Sequence, residues 1–140
     1  MTIYLDTSVI VSAFTNEVAT TRSRAFLHNR DAEPYVISWW VEAEISAAVY
    51  AKAGRGLLDP AAGQKLVTEI AAFVSESVTT VPVEHGHFVA AGDLARRCNG
   101  LRAGDALHLA VAAAQGATVC TLDAGMARAA ESLGLPVVLV

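Results

Sequence analysis

Four acidic residues stand at positions where a carboxylate could take part in chemistry. Asp6 and Asp123 each follow a short apolar segment, Asp105 opens an alanine-rich stretch, and Glu44 interrupts an apolar helical pattern. Carboxylate oxygens are the ligands that hard cations such as Mg²⁺ and Mn²⁺ prefer. One or two such ions can activate water and stabilise the leaving oxygen during phosphodiester hydrolysis. The four acids therefore suggest a metal-dependent hydrolase, provided that the fold brings them together.

Asp105 and Asp123 belong to one continuous stretch, residues 101–123, around which the chain is organised. Residues 106–114 are apolar nearly all round, which is typical of a helix in the middle of a domain. Asp105 stands at the start of that helix, where the helix dipole favours negative charge. Asp123 ends the strand predicted at residues 117–122, and the carboxyl ends of parallel strands face a ligand-binding crevice. We therefore expect both carboxylates to point to one place.

Glu44 lies in the middle of an apolar arc on the helix predicted at residues 39–53. The arc is formed by Trp40, Val41, Ile45, Ala47, Ala48, Val49 and Ala51. An unpaired carboxylate inside such an arc is costly, so Glu44 needs a cation, an arginine or a proton as its partner. Asp6 and Asp123 have a simpler alternative explanation as helix N-caps, but that explanation does not cover Glu44. Thr7, Ser8 and Thr121 are candidates to orient the carboxylates or bound waters.

The composition sets limits on the class of protein. The chain has 140 residues, a net charge of −4 and a hydrophobic fraction of 54%, and its mean hydropathy is +0.42. The charge argues weakly against binding nucleic acid by bulk electrostatics. Apolar runs are too short for a membrane span, and no signal peptide is expected. Cys98 and Cys120 lack metal-site spacing, so we expect buried free thiols in the reducing cytoplasm. The excess apolarity suggests a subunit or partner interface.

Strand and helix patterns alternate along the chain. Strands are predicted at residues 2–5, 34–38, 78–83, 117–122 and 136–140, and helices at 9–14, 18–28, 39–53, 59–77, 84–98, 106–114 and 124–133. This alternation predicts an α/β fold in which helices cover both faces of a parallel sheet. Neither a repeat nor a linker divides the sequence, so a single domain over residues 1–140 is expected.

Several motifs together resemble one known family. They are Leu5-Asp6-Thr7-Ser8, Ser38 followed six residues later by Glu44, the segment Arg102-Ala-Gly-Asp105-Ala-Leu-His108-Leu-Ala110, and Thr121-Leu-Asp123. In this order and spacing they resemble PIN-domain ribonucleases, and in particular the VapC-type toxins of bacterial toxin–antitoxin pairs. The resemblance spans essentially the whole chain, and the segment around Asp105 is its most specific part.

The resemblance implies a PIN-like three-layer α/β/α sandwich with a mostly parallel central sheet. It implies an endoribonuclease with an acidic Mg²⁺ or Mn²⁺ pocket, a homodimer, and an antitoxin whose tail blocks the pocket. Carried over by position, Asp6 and Asp105 would hold the principal ion, and Glu44 and Asp123 would complete the cluster or position the attacking water. Some PIN nucleases carry a further acid where this chain has Gly125, so the number of ions stays open.

Two other functions remain as alternatives. An aspartyl phosphotransfer domain would use Asp6 as its nucleophile, but Ser8 stands where phosphatases of that kind have a second Asp. The chain also has no lysine after Lys65 to neutralise phosphoryl charge. A PIN-like scaffold that binds RNA or protein without cutting would retain the fold alone.

Basic residues and one histidine are harder to assign from the sequence. His108 lies one helical turn after Asp105, and we interpret it as a core histidine bonded to the backbone or to a neighbouring acid rather than as a catalytic base. Arg102 could contact a substrate phosphate or pair with an acid. Candidate contacts for RNA or the antitoxin are Arg22, Arg24, Arg30 and the loop at residues 52–55.

Overall fold

The computed structural model describes residues 1–30 and 32–140, in which strands and helices alternate as predicted. The elements are β1 (Ile3–Leu5), α1 (Thr7–Phe14), α2 (Thr20–Asn29), β2 (Tyr35–Ser38), α3 (Trp39–Gly54), α4 (Pro60–Ser77), β3 (Val78–Val81), α5 (His85–Arg97), α6 (Ala103–Ala114), β4 (Thr118–Thr121), α7 (Ala124–Ser132) and β5 (Val137–Leu139). The boundaries differ from the predicted ones by no more than a few residues.

The five strands form one sheet in the order β3-β2-β1-β4-β5, and every neighbouring pair is parallel. From β1 the chain moves outward through β2 to β3, then crosses back to β4 and continues to β5. Crossovers between parallel strands are right-handed. The connections that run from β1 towards β3 and those that run towards β5 therefore place their helices on opposite faces of the sheet. Helices α1, α2, α3 and α4 contact one another in one layer, and α5 packs on α6 in the other. The predicted three-layer α/β/α sandwich is confirmed.

The reversal of direction places a topological switch point between β1 and β4. In sheets of this kind, the crevice beyond the carboxyl ends of the two central strands is where ligands bind. Both strands are completely buried. Helix α6 is also buried over seven consecutive residues, from Ala106 to Ala112. The centre of the fold therefore carries the strand ends and the helix start that hold the candidate acids.

The apolar arc of α3 is only partly buried. Val41, Ile45 and Val49 belong to the core, whereas Trp40 is 37% exposed and its neighbour Trp39 is 58% exposed. Phe88 on α5 is also 57% exposed. The apolar excess noted in the sequence is thus partly on the surface of this chain.

Other expectations from composition can also be compared with the structure. None of the helices in residues 1–30 and 32–140 has the length and apolarity needed to cross a bilayer. Both cysteines are free thiols, as predicted, although only Cys120 is buried and Cys98 is partly exposed.

Candidate metal centre

The four candidate acids lie on four different elements that meet at the switch point. Asp6 directly follows β1, and its backbone N–H donates to the carbonyl of Cys120 on β4 at 2.9 Å. Asp123 lies two residues beyond the end of β4. Asp105 is in the first turn of α6, and Glu44 lies on α3. Strand ends and the start of a buried helix therefore hold the acids in place.

Asp6 is buried, with 7% of its surface exposed, and its carboxylate is held by hydroxyl groups. Its Oδ2 accepts hydrogen bonds from Ser8 Oγ at 2.5 Å and Thr121 Oγ1 at 2.8 Å. Its side chain makes no capping hydrogen bond to α1. Asp6 stands at the N-cap position of α1 but does not cap it with its side chain, because its carboxylate is oriented by hydroxyls from the first turn of α1 and from the end of β4.

Glu44 has a partner that the sequence did not reveal. Its Oε2 accepts from Thr7 Oγ1 at 2.5 Å and from His108 Nε2 at 2.8 Å. Burial alone would raise the pKa of Glu44, but the hydrogen bonds from His108 and Thr7 outweigh that effect and lower it. The alternative of an arginine partner is wrong, because the nitrogen next to Glu44 belongs to the imidazole of His108.

His108 is only 2% exposed and lies between an acid and a tyrosine. Its Nδ1 lies 2.9 Å from the Tyr4 hydroxyl, and its Nε2 also lies 3.5 Å from Asp6 Oδ1. The interpretation of His108 as a core histidine bonded to a neighbouring acid is confirmed.

Asp105 and Asp123 border a cavity of about 370 Å³ beside this group. Burial, and then the negative charges of Asp123 and Asp6, raise the pKa of Asp105. Asp123 Oδ1 accepts from the backbone N–H groups of Gly125 at 2.6 Å and Met126 at 3.0 Å. The N-cap explanation is thus correct for Asp123, although it occupies only one of the two carboxylate oxygens.

The tightest group in this region consists of Asp6, Glu44 and His108, which offer ligand atoms within 4.8 Å of one another. Asp105 lies outside that group, but its pKa responds to the charges of Asp123 and of Asp6 within the group. Carboxylate oxygens fit Mg²⁺ or Mn²⁺, and a cation would offset the repulsion among the acids. The donor set is therefore chemically suited to a divalent ion.

Two residues at this site were missed in the sequence. Tyr4 contacts His108. It lies on β1 two residues before Asp6, and alternate residues along a strand point to the same face of the sheet. Arg128 lines the cavity from α7 together with Arg102. The alternation of side chains along β1 could have identified Tyr4 from the sequence. Arg128 is revealed only by the packing of α7 beside the cavity.

Of the other basic residues proposed to contact a partner, several have partners within the chain. Arg24 Nε donates to the carbonyl of Ala13 at 2.6 Å, and Arg30 pairs with Glu33 at 2.9 Å. Lys52 pairs with Glu17 at 2.6 Å. These side chains are therefore less available to RNA than Arg102 and Arg128.

The parallel sheet and the acids at its switch point define an α/β domain with a candidate metal centre. The chain belongs to the PIN domain family, whose model matches residues 3–132. No curated protein matches the sequence.

Solved structures share the fold at low sequence identity. VapBC2 from Rickettsia felis, bound to a DNA fragment from its promoter, is 17% identical with a TM-score of 0.75, covering 99% of this chain and 98% of the other. FitAcB from Neisseria gonorrhoeae is 21% identical with a TM-score of 0.70, covering 96% and 95%. VapC20 from Mycobacterium tuberculosis, described as a sarcin-ricin loop cleaving toxin, is 18% identical with a TM-score of 0.71, covering 91% and 94%. At these identities the similarity establishes the fold.

Proposed function

We propose that this chain is an Mg²⁺- or Mn²⁺-dependent endoribonuclease and the toxin of a toxin–antitoxin pair. The observation that carries the proposal is the meeting of Asp6, Glu44, Asp105 and Asp123 at the switch point of a PIN domain. The domain extends over residues 1–140 in this proposal, since β5 lies beyond the family match and pairs with β4.

Asp6 and Asp105 would hold the principal ion, with Glu44 and Asp123 completing the acidic pocket. A bound divalent ion supplies an activated water and stabilises the oxygen that leaves the phosphorus atom. Thr7, Ser8 and Thr121 orient the carboxylates, because each donates a hydroxyl hydrogen bond to Asp6 or Glu44. These bonds keep carboxylate oxygens of both acids fixed before an ion binds.

RNA as the substrate is supported by two arginines at the cavity. Arg102 and Arg128 line it beside Asp105 and Asp123. Neither guanidinium makes a hydrogen bond or a salt bridge with another described residue, although the charge of Arg102 acts on Asp105. An unpaired guanidinium can bind a phosphate through two parallel hydrogen bonds. They offer local positive charge in a chain whose net charge is −4. We propose that they contact RNA phosphates next to the one that is cleaved.

An antitoxin and a second copy of the chain are the proposed protein partners. Similar folds occur in structures described as VapBC and as FitAB bound to a DNA fragment. The exposed Trp39, Trp40 and Phe88 supply apolar surface that such partners could bury.

The decisive experiment is cleavage of total cellular RNA by the purified chain, free of antitoxin, with Mg²⁺, with Mn²⁺ and with EDTA. Asp105→Asn should abolish cleavage, and Asp93→Asn is the matched control because Asp93 is an exposed helix acid paired with Arg96. Cuts that require the metal and Asp105 would support the proposal. A folded chain that binds RNA without cutting it under any of these conditions would favour the non-catalytic scaffold.

The arginines can be tested separately in the Asp105→Asn background, where bound RNA should stay intact. Arg102→Gln and Arg128→Gln should weaken RNA affinity and reduce the salt dependence of binding by about one contact each. Arg96→Gln, on the exposed face of α5, is the control. Equal affinity and equal salt dependence in all variants would exclude a phosphate contact at the cavity.

A further inference from the structure

A chain of buried polar side chains leads from the core of the fold to Glu44. Ser38 Oγ lies 2.8 Å from the Tyr4 hydroxyl, which lies 2.9 Å from His108 Nδ1. His108 Nε2 then lies 2.8 Å from Glu44 Oε2. Ser38 and Tyr4 are both 0% exposed, so neither can contact a substrate. The hydrogen bond from Tyr4 to His108 connects them to the site.

The direction of these hydrogen bonds follows from the chemistry of the groups. A carboxylate can only accept, so the nitrogen next to Glu44, His108 Nε2, must carry its hydrogen. A tyrosine hydroxyl carries its proton at neutral pH, so Tyr4 can both donate and accept a hydrogen bond. When the imidazole is neutral, that hydroxyl donates to Nδ1 and accepts from Ser38. Tyr4 thereby stabilises the tautomer in which Nε2–H points at Glu44.

We propose that Tyr4 is a positioning residue for the metal centre, which it controls by holding the Nε2–H of His108 against Glu44 Oε2. This inference rests on the proposed function, because it concerns the cation of that site. With Oε2 engaged by His108 and Thr7, the carboxylate of Glu44 has a fixed orientation. Trp40 also hydrogen-bonds this carboxylate, and the orientation set by these donors is the one in which Glu44 would meet a cation. Loss of the Tyr4 hydroxyl would let the imidazole and the carboxylate turn.

The first test is the affinity of the purified full chain for Mn²⁺ alone, measured by calorimetry or by the electron paramagnetic resonance of free Mn²⁺. Tyr4→Phe removes one oxygen and should weaken Mn²⁺ binding by about tenfold, the low end of the effect seen for groups that orient metal ligands. Its RNA cleavage should recover at saturating Mn²⁺. A general loss of structure would not be repaired in this way.

Tyr35→Phe is the matched control for this change. Tyr35 is a buried tyrosine on the neighbouring strand β2, and its hydroxyl donates to the backbone carbonyl of Leu27 at 2.9 Å. This variant should bind Mn²⁺ as the unmodified chain does. Thermal unfolding of both variants shows whether their losses of stability are similar. Equal Mn²⁺ affinities in Tyr4→Phe and the unmodified chain would overturn the proposal.

A double-mutant cycle with His108→Gln tests the route of the effect. The glutamine amide can still donate to Glu44, but it offers no Nδ1 to Tyr4. Tyr4→Phe should therefore have no further effect on Mn²⁺ affinity in the His108→Gln background. An undiminished effect there would refute a route through His108. A loss of binding in His108→Gln as complete as in Asp6→Asn would also overturn the proposal, since the histidine would then be a ligand itself.

The outcome separates this inference from the proposed function. If Asp6→Asn loses Mn²⁺ binding and Tyr4→Phe does not, only the positioning role fails. If the unmodified chain binds no Mn²⁺, both fail.

Discussion

Asp6 and Glu44, the inner pair, accept several side-chain hydrogen bonds. Asp105 and Asp123, the outer pair, border an open cavity. Hydroxyls bind both inner acids, and His108 binds Glu44 as well. In the outer pair, the charges next to Asp105 act mainly against its ionised form. The inner pair is thus held by side-chain hydrogen bonds, while Asp105 of the outer pair carries repulsion that a cation would relieve.

In the proposed metal centre, the two pairs would make different contributions to binding an ion. Oriented acids reduce the reorganisation needed when an ion binds, and crowded acids supply the attraction for it. Residues kept for binding or catalysis often lower stability, so Glu44 and Asp105 should respond oppositely to neutralisation. The predictions below test that contrast in order of decreasing effect.

The largest expected effect concerns activity, where both pairs are needed. Asp6→Asn and Asp105→Asn should each lower the rate of Mn²⁺-dependent RNA cleavage by on the order of 100-fold or more, because each removes a charge on which the ion depends. Single-turnover cleavage at fixed Mn²⁺ measures this. Full activity in either variant would remove that acid from the metal centre.

Addition of metal should stabilise the folded chain. Mn²⁺ at 100 times its dissociation constant should raise the free energy of unfolding by about 2.7 kcal/mol, since it binds the folded state. Urea unfolding with and without Mn²⁺ provides the measurement. The same titration with Asp6→Asn should show a much smaller rise, and an equal rise would place the ion elsewhere.

Neutralising the inner pair should destabilise the chain. Glu44→Gln should lower the free energy of unfolding at neutral pH by about 1.5 kcal/mol, because it weakens charge-assisted hydrogen bonds from His108 and Thr7. The pKa of Glu44 is lowered in the folded state, so its contribution is present at neutral pH and is lost as the pH falls through that pKa. Urea unfolding from pH 7 to about pH 3, below the ordinary glutamate pKa, tests this. A variant as stable as the unmodified chain at pH 7 would contradict it.

Neutralising the outer pair should have a smaller effect of opposite sign. Asp105→Asn should raise the free energy of unfolding without metal by about 0.5 kcal/mol, a value reduced for solvent screening. The pKa of Asp105 is raised by burial and by Asp123, so its ionised form disfavours folding. The gain should therefore be present at neutral pH and vanish at low pH, where the carboxyl is protonated. Chemical unfolding at neutral and low pH provides the measurement. If the fold stabilised ionised Asp105, Asp105→Asn would instead have a lower free energy of unfolding than the unmodified chain at neutral pH.

Much of the fold could be predicted because its signals are local. Apolar runs of a few residues separated by amphipathic helices indicated the parallel sheet, and the alanine-rich segment indicated the buried helix α6. The acids of the outer pair follow from the same signals, because one begins that helix and the other ends a strand. Ser38 shows where this reasoning stops. It directly precedes α3, where a serine commonly caps a helix, but it makes no capping bond. Its hydroxyl instead contacts Tyr4, 34 residues away in the chain.

The sequence by itself determined the alternation of elements, the family and the acids that merit testing, since these depend on residue types and short spacings. Only the tertiary structure decided which groups hydrogen-bond to those acids. Thr121 lies 115 residues from Asp6, and His108 lies 64 residues from Glu44, yet each donates to its acid. Such contacts depend on strand register and helix packing, which local patterns do not encode. The repulsion on Asp105 and the role proposed for Tyr4 both depend on such contacts between distant parts of the chain.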